Sequence, residues 1–383
     1  MNFLNVNKFN ALTNDLSGNC FPVQSDDKQI SNLKRAYIIG TFCYILLYYV
    51  SSIKGLISFP TLKSIQDGSI NLLVLSEVII LTVYMNYHRD KYRSLIANIN
   101  TVLSYQSKTL RDITFDFVNP VMRIFTYYTI VAVGSIVIWV CIPMLRAFNK
   151  TIFTIEDLQV PIDIFLNKNC GISVYVIVTA LEAIACAYAI LKKIAIDIYV
   201  LYFITLLTAK YVYVQYQLSV IFSDLMNEKS IEVELEQLLH QYSIIVSVTH
   251  KLSKLLFINV AVTYINCTLK FCFLAFMVIT IPGSYFSKIL VVSYSCGSLV
   301  EVYIVCFRVN HLVEVSSSIS DKAFHTSWYC QKRYFRKIFT MLTMTNMMKC
   351  RLSICDSIDL SLPAFMTILK NAYSICLLLL RIK

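Results

Sequence analysis

Apolar runs of membrane-crossing length, separated by short basic junctions, set the pattern of this chain. A helix needs about 20 apolar residues to cross hydrocarbon. Runs of that kind cover 36–58, 70–87, 123–145, 171–190, 256–280 and 289–307. A weaker seventh covers 361–380, where Lys370 and Asn371 interrupt an otherwise apolar stretch. Each run predicts a transmembrane helix. Six spans would return the chain to its starting side; seven leave its two ends on opposite faces of the bilayer. The expected fold class is an all-α integral membrane protein, a single seven-helix membrane domain over 1–383.

Helical periodicity continues between the fourth and fifth runs. Leu218, Ile221, Phe222, Leu225 and Met226 share one face, and Leu235, Leu238, Leu239 and Tyr242 share another. Glu228, Glu232, Glu234 and Glu236 lie between them as a polar tip. The pattern predicts that 191–255 and 309–350 extend the spans into the cytoplasm as helices, the stretch Tyr334 to Cys350 being amphipathic.

Composition supports the membrane reading. Hydrophobic residues make up 57% of 383, charged residues only 15%, and mean hydropathy is +0.63, more apolar than soluble domains. Eight glycines and seven prolines leave little room for a loop-rich architecture. The net charge of +11 is dispersed among the spans rather than gathered on one face, which argues against nucleic acid. Most of the thirteen cysteines, among them Cys43, Cys141, Cys186, Cys272 and Cys306, sit inside apolar runs and read as small buried hydrophobes. Residues 1–35 are polar and mixed in charge, so no cleaved signal peptide is expected.

Orientation follows from the flanks. Lys34, Arg35, Arg89, Lys91, Arg93, Lys192, Lys193, Lys251, Lys254 and Arg308 fall on one side, which the positive-inside rule makes cytoplasmic. Arg146, Lys150, Lys168 and Lys288 fall on the other. Asn149-Lys150-Thr151 is a glycosylation sequon on that outer side. The expected arrangement is a cytoplasmic amino terminus and an extracellular carboxyl terminus, inverted relative to G-protein-coupled receptors. The motifs of those receptors are absent.

Nothing in the chain predicts catalysis. His88, His240, His250, His311 and His325 make no metal spacing, and no phosphate-binding loop, dinucleotide fingerprint or nucleophile elbow is present. No catalytic residue, metal or cofactor is expected. Acids within spans are more informative, because a carboxylate in hydrocarbon needs a partner or water. Glu77, Glu182 and Glu301 are of this kind. Ala132, Ser135 and Trp139 share a helix face, as do Tyr175 with Thr179 and Tyr294 with Ser298. Such a set suits an apolar pocket with a few hydroxyls, bound by shape and dispersion. It equally suits helix packing, with Trp139 an interfacial anchor and the Thr179 hydroxyl bonded back to the carbonyl one turn earlier.

The carboxyl-terminal third carries an ordered series of elements: Cys306-Phe307-Arg308-Val309-Asn310, Ser316-Ser317-Ser318, Asp321-Lys322-Ala323-Phe324 and Trp328. The basic cluster Lys332, Arg333, Arg336 and Lys337 follows, then Met341-Leu342, and finally Leu360 through Ser374. Upstream come His240-Gln241 and the run from His250 to Phe271. This series resembles the insect odorant receptor family. The resemblance implies an odorant-binding subunit of a ligand-gated, non-selective cation channel. Its partners would be a small volatile ligand, the bilayer, and a shared co-receptor subunit in a heterotetramer, in the plasma membrane of sensory neurons. It places the pocket among spans two, three, four and six, which promotes Ala132, Ser135, Trp139, Tyr175, Thr179, Tyr294, Ser298 and Glu77 to ligand-binding candidates. It makes the last span pore-lining, with Ala364, Ile368 and Asn371 on one stripe. The alternatives are a gustatory receptor channel, whose closing motif is absent, and a seven-span receptor or transporter without its own pore.

Overall fold

A computed structural model describes residues 3, 8–24, 31–58, 62–103, 108–147, 152–153, 158, 170–223, 228–280, 285–325, 353–354, 358–359 and 361–382. Helices dominate: α1 (Lys8–Ser17), α2 (Asn32–Ser58), α3 (Leu62–Tyr87), α4 (Arg89–Leu103), α5 (Lys108–Ala147), α6 (Ile172–Ser223), α7 (Glu228–Thr280), α8 (Tyr285–Phe324) and α9 (Leu362–Ile382). Two antiparallel pairings of two residues each complete the described chain. Strand β1 (Ile152–Phe153) pairs with β2 (Cys170–Gly171), and β3 (Ser353–Ile354) with β4 (Ile358–Asp359). Seven of the helices, α2, α3 and α5 to α9, are long and apolar enough to cross a membrane.

The helices outrun the hydrophobic patterns that predict them. At about 1.5 Å per residue, the 52 residues of α6 and the 53 of α7 reach about 80 Å, far beyond the ~30 Å hydrocarbon core. Their extensions pack on one another. Leu218 and Ile221 of α6 are buried, as are Leu235, Leu238 and Tyr242 of α7. Tyr211 and Tyr242 meet edge to face at 6.3 Å. The stretch from Tyr334 to Cys350 lies outside the described residues.

Helix α6 is the hub, packing against α1, α2, α3, α5, α7 and α8. Its own sequence explains this: from Ile194 to Val214 nearly every side chain is buried, on all faces. A helix apolar all round belongs in the middle of a bundle. The peripheral helices instead leave Leu47, Val83, Tyr127 and Val131 exposed, as lipid-facing surface requires.

The amino-terminal residues are tied under this hub. Helix α1 buries Asn10, Thr13, Asn14 and Ser17, and the strap that follows trades hydrogen bonds with α6. Lys192 Nζ donates to Gly18 O (3.1 Å) and Asn19 Oδ1 (3.2 Å), and Tyr199 OH donates to Pro22 O (2.8 Å). Phe3 stacks on Phe203 at 4.9 Å. Gly18, at φ +68°, ends α1. The Asn19 and Gly18 amides reach back to the Asn14 and Asp15 carbonyls, the paired closure that favours glycine.

Candidate functional site

The middle of the bundle holds an ionic node. Lys193 of α6 donates to both carboxylate oxygens of Asp197 one turn on, at 2.6 and 2.7 Å. The same ammonium meets Glu77 of α3 at 3.2 Å and Glu301 of α8 at 3.1 Å. Tyr128 of α5 donates to the second oxygen of Glu301 (2.7 Å), and Thr263 of α7 to Glu77 (3.3 Å). Five helices thus meet through a buried core of Glu77, Lys193, Asp197 and Glu301, with the half-buried Tyr128 and Thr263 at its edge. Three carboxylates around one ammonium leave an excess of negative charge. Lys270 of α7, buried and within electrostatic range of Glu77 and Glu301, offsets part of it. Beneath the node, outside the spans, burial pushes the Tyr92 phenol well above its ordinary value, so it remains protonated.

Two connections, α5 to α6 and α7 to α8, mark one end of the bundle. Most of the residues singled out from the sequence lie between that end and the node. Ala132 is one turn beyond Tyr128, and Ser298 one turn before Glu301. Glu77 belongs to the node itself. Ser298 is buried, and its hydroxyl has no hydrogen-bond partner among the described residues. Tyr294, one turn further along α8, is 39% exposed. Tyr175 sits nearer the end of the bundle, stacked on Phe153 at 4.1 Å over Leu158. Thr179 is buried and donates to Tyr175 O at 2.9 Å, the internal bond that its position one turn on permits. Ser135 is exposed and donates to Ala132 O. The Trp139 side chain and Asn149 lie outside the described positions. Glu182 is buried on α6 in a second polar group, where Tyr48 of α2, Asn71 of α3 and Cys186 interact.

Lys193, Asp197, Lys270, Tyr128 and Thr263 do not stand out as site residues from sequence pattern alone. Lys192 and Lys193 end an apolar run and carry the signature of a cytoplasmic flank. The available signal was the pairing of Lys193 with Asp197 at i, i+4 inside a helical pattern that continues past them.

Helix α9 closes the bundle against α7 and α8. Ala364, Ile368, Ala372 and Cys376, four residues apart, are buried on that face. Tyr303 packs edge to face on Phe365 at 5.7 Å. Asn371 is exposed, and its amide donates to Tyr264 OH at 3.3 Å. Thr367, Asn371 and Ser374 form an exposed polar stripe at i, i+4 and i+7, with Lys370 beside it. Met366, Tyr373 and Leu377 form a separate, apolar exposed stripe.

Residues 71–373 match the family model described as 7tm Odorant receptor. No curated protein sequence matches the chain. Among solved structures, the chain is similar to the insect olfactory receptor OR5 from Machilis hrabei. The TM-score is 0.82 at 11% identity, over 98% of this chain and 97% of that one. It is equally similar to the same receptor in complex with eugenol, with a TM-score of 0.82 at 10% identity over 100% of both chains. At such identity the likeness establishes the fold.

Proposed function

Because the chain belongs to the 7tm Odorant receptor family, a family of membrane receptors rather than enzymes, we propose that it is the odorant-binding subunit of a ligand-gated, non-selective cation channel. It works with a shared co-receptor subunit in a heterotetramer, in the plasma membrane of sensory neurons. A small volatile ligand enters the outer part of the bundle among α3, α5, α6 and α8, above the ionic node. Its preference for the open arrangement then shifts α9, since a ligand moves an equilibrium only by its differential affinity.

One observation carries the channel reading. Thr367, Asn371 and Ser374 are exposed on a helix of membrane-crossing length whose opposite face is buried. The Thr367 and Ser374 hydroxyls donate back to Pro363 O and Lys370 O. The exposed Asn371 and the Lys370 ammonium beside it are instead costly against hydrocarbon, so this face belongs against water or a protein partner. In the proposed assembly it borders the ion path, while Ala364 and Ile368 hold the helix to its own bundle from behind.

Expression with and without a co-receptor, with current recorded as volatiles are applied, tests the proposal. Fast currents that persist under G-protein inhibitors are expected from the co-expressed pair. Ligand-dependent solute flux without channel-like conductance would replace the channel with a transporter. Trp139→Ala should reorder the agonist ranking.

A further inference from the structure

At the outer face of the node, two buried residues carry polar groups for which the described protein supplies no hydrogen bond. The Ser298 hydroxyl is one. The other is the ammonium of Lys270, a residue 4% exposed, with no hydrogen-bond acceptor or carboxylate within bonding distance among the described residues. They come from packed neighbours, α7 and α8. Tyr294, Ser298 and Glu301 share one face of α8 at i, i+4 and i+7. Lys270 lies on the helix packed against α8, within electrostatic range of Tyr294 and Glu301, the residues one turn to either side of Ser298. Its nearest described ring contact is the face of Phe271, 5.9 Å from the ammonium.

A buried donor without an acceptor is costly, and sites that leave such groups unsatisfied bind ligands that satisfy them. Lys270 is already in the field of Glu77 and Glu301. Counter-charge is therefore in place, and an oxygen acceptor is missing. A carboxylate ligand would add negative charge to a node where acids already outnumber lysines; a neutral carbonyl would not. Resting on the ligand site described above, and naming its chemistry, we propose that Lys270 and Ser298 select volatiles bearing a neutral carbonyl oxygen: ketones, aldehydes or esters. The carbonyl accepts from both donors, and its hydrocarbon part fills the apolar space toward Tyr294 and Ala132.

The test uses purified full-length protein and carbon-matched sets of methyl ketone, alkyl ester, alkane and carboxylate, each of 6 to 8 carbons in order of magnitude. Ligand-induced thermal stabilisation gives apparent affinity. Carbonyl compounds should bind at least about tenfold tighter than matched alkanes and carboxylates, in keeping with one or two hydrogen bonds to otherwise unpaired donors. Ser298→Ala and Lys270→Gln should each bring that preference down to about threefold or less, while alkane binding stays within a factor of about two. Ser298→Ala removes a hydroxyl that makes no internal bond, so it keeps the comparison available if Lys270→Gln fails to fold. Equal binding of alkanes and carbonyls by the unaltered protein, a preference for carboxylates, stabilisation by none of the compounds, or a preference that survives Ser298→Ala would overturn the inference. Carbonyl-selective stabilisation in a protein that gives no current with a co-receptor would retain this inference and remove the channel reading.

Discussion

At the scale of single residues, the clearest energetic statement concerns Lys193. Its ammonium is shared by Asp197, Glu77 and Glu301. Replacing a buried ion pair by apolar groups is often neutral, but removing one partner strands the others, at about 3–5 kcal/mol. Lys193→Met is therefore expected to lower the thermal midpoint of the purified protein sharply, and Lys193→Met with Asp197→Asn to recover part of the loss. A double variant no more stable than the single one would show that the three acids do not depend on this ammonium. Gly18 makes a second case. Its φ of +68° is one that side chains rarely adopt, and a Cβ there would collide with Thr41 Oγ1 of α2. Both backbone and space oppose a side chain, so Gly18→Ala should cost upwards of about 1 kcal/mol. Thermal denaturation measures it, and an unchanged midpoint would mean that the end of α1 is not held against α2.

At the scale of elements, the last helix shows what a sequence conveys and what it withholds. The apolar run over 361–380, broken by Lys370 and Asn371, announces a semi-polar span. Spacing alone groups Ala364, Ile368 and Asn371 on one stripe. The fold divides that stripe, burying Ala364 and Ile368 against α7 and α8 and exposing Asn371. Periodicity gives the width of a face but not which neighbour covers it. The lysines at 192 and 193 show the same limit: both sit where an apolar run ends, yet α6 continues for 30 residues beyond Lys193 to Ser223, and the strap and node cover them. Thr179 was ambiguous in sequence between pocket and internal bond, and the structure shows the internal bond. Exposure on α9 can be read directly by cysteine scanning of the assembled channel with a water-soluble thiol reagent. Thr367→Cys, Asn371→Cys and Ser374→Cys should react, and Ala364→Cys, Ile368→Cys and Ala372→Cys should not. Reaction at the second set rather than the first would move the ion path to the other face of the helix.

At the scale of the whole molecule, the seven-helix reading was legible because hydrocarbon enforces it: every backbone polar group must be satisfied within a span, so an apolar run of that length is a helix. What pattern could not supply was the ionic node, where residues 77, 128, 193, 263 and 301 meet across five helices. Which end of the bundle faces outward is a proposal that rests on the basic flanks and the sequon, and it fixes where a volatile ligand arrives. An odd number of crossings puts the carboxyl end of α9 on the same side as the α5–α6 and α7–α8 connections. With the amino terminus in the cytosol, that side is extracellular. The proposed ligand site above the node then lies toward the medium that carries the odorant. A tag fused after Lys383 should therefore be stained on intact cells, while an amino-terminal tag should need permeabilisation. Asn149→Gln should remove any glycan-dependent mobility shift. A carboxyl-terminal tag reached only in permeabilised cells would turn the bundle over. Lys270 and Ser298 would then face the cytosolic side of the node, and an airborne ligand would have to cross the bilayer before reaching them.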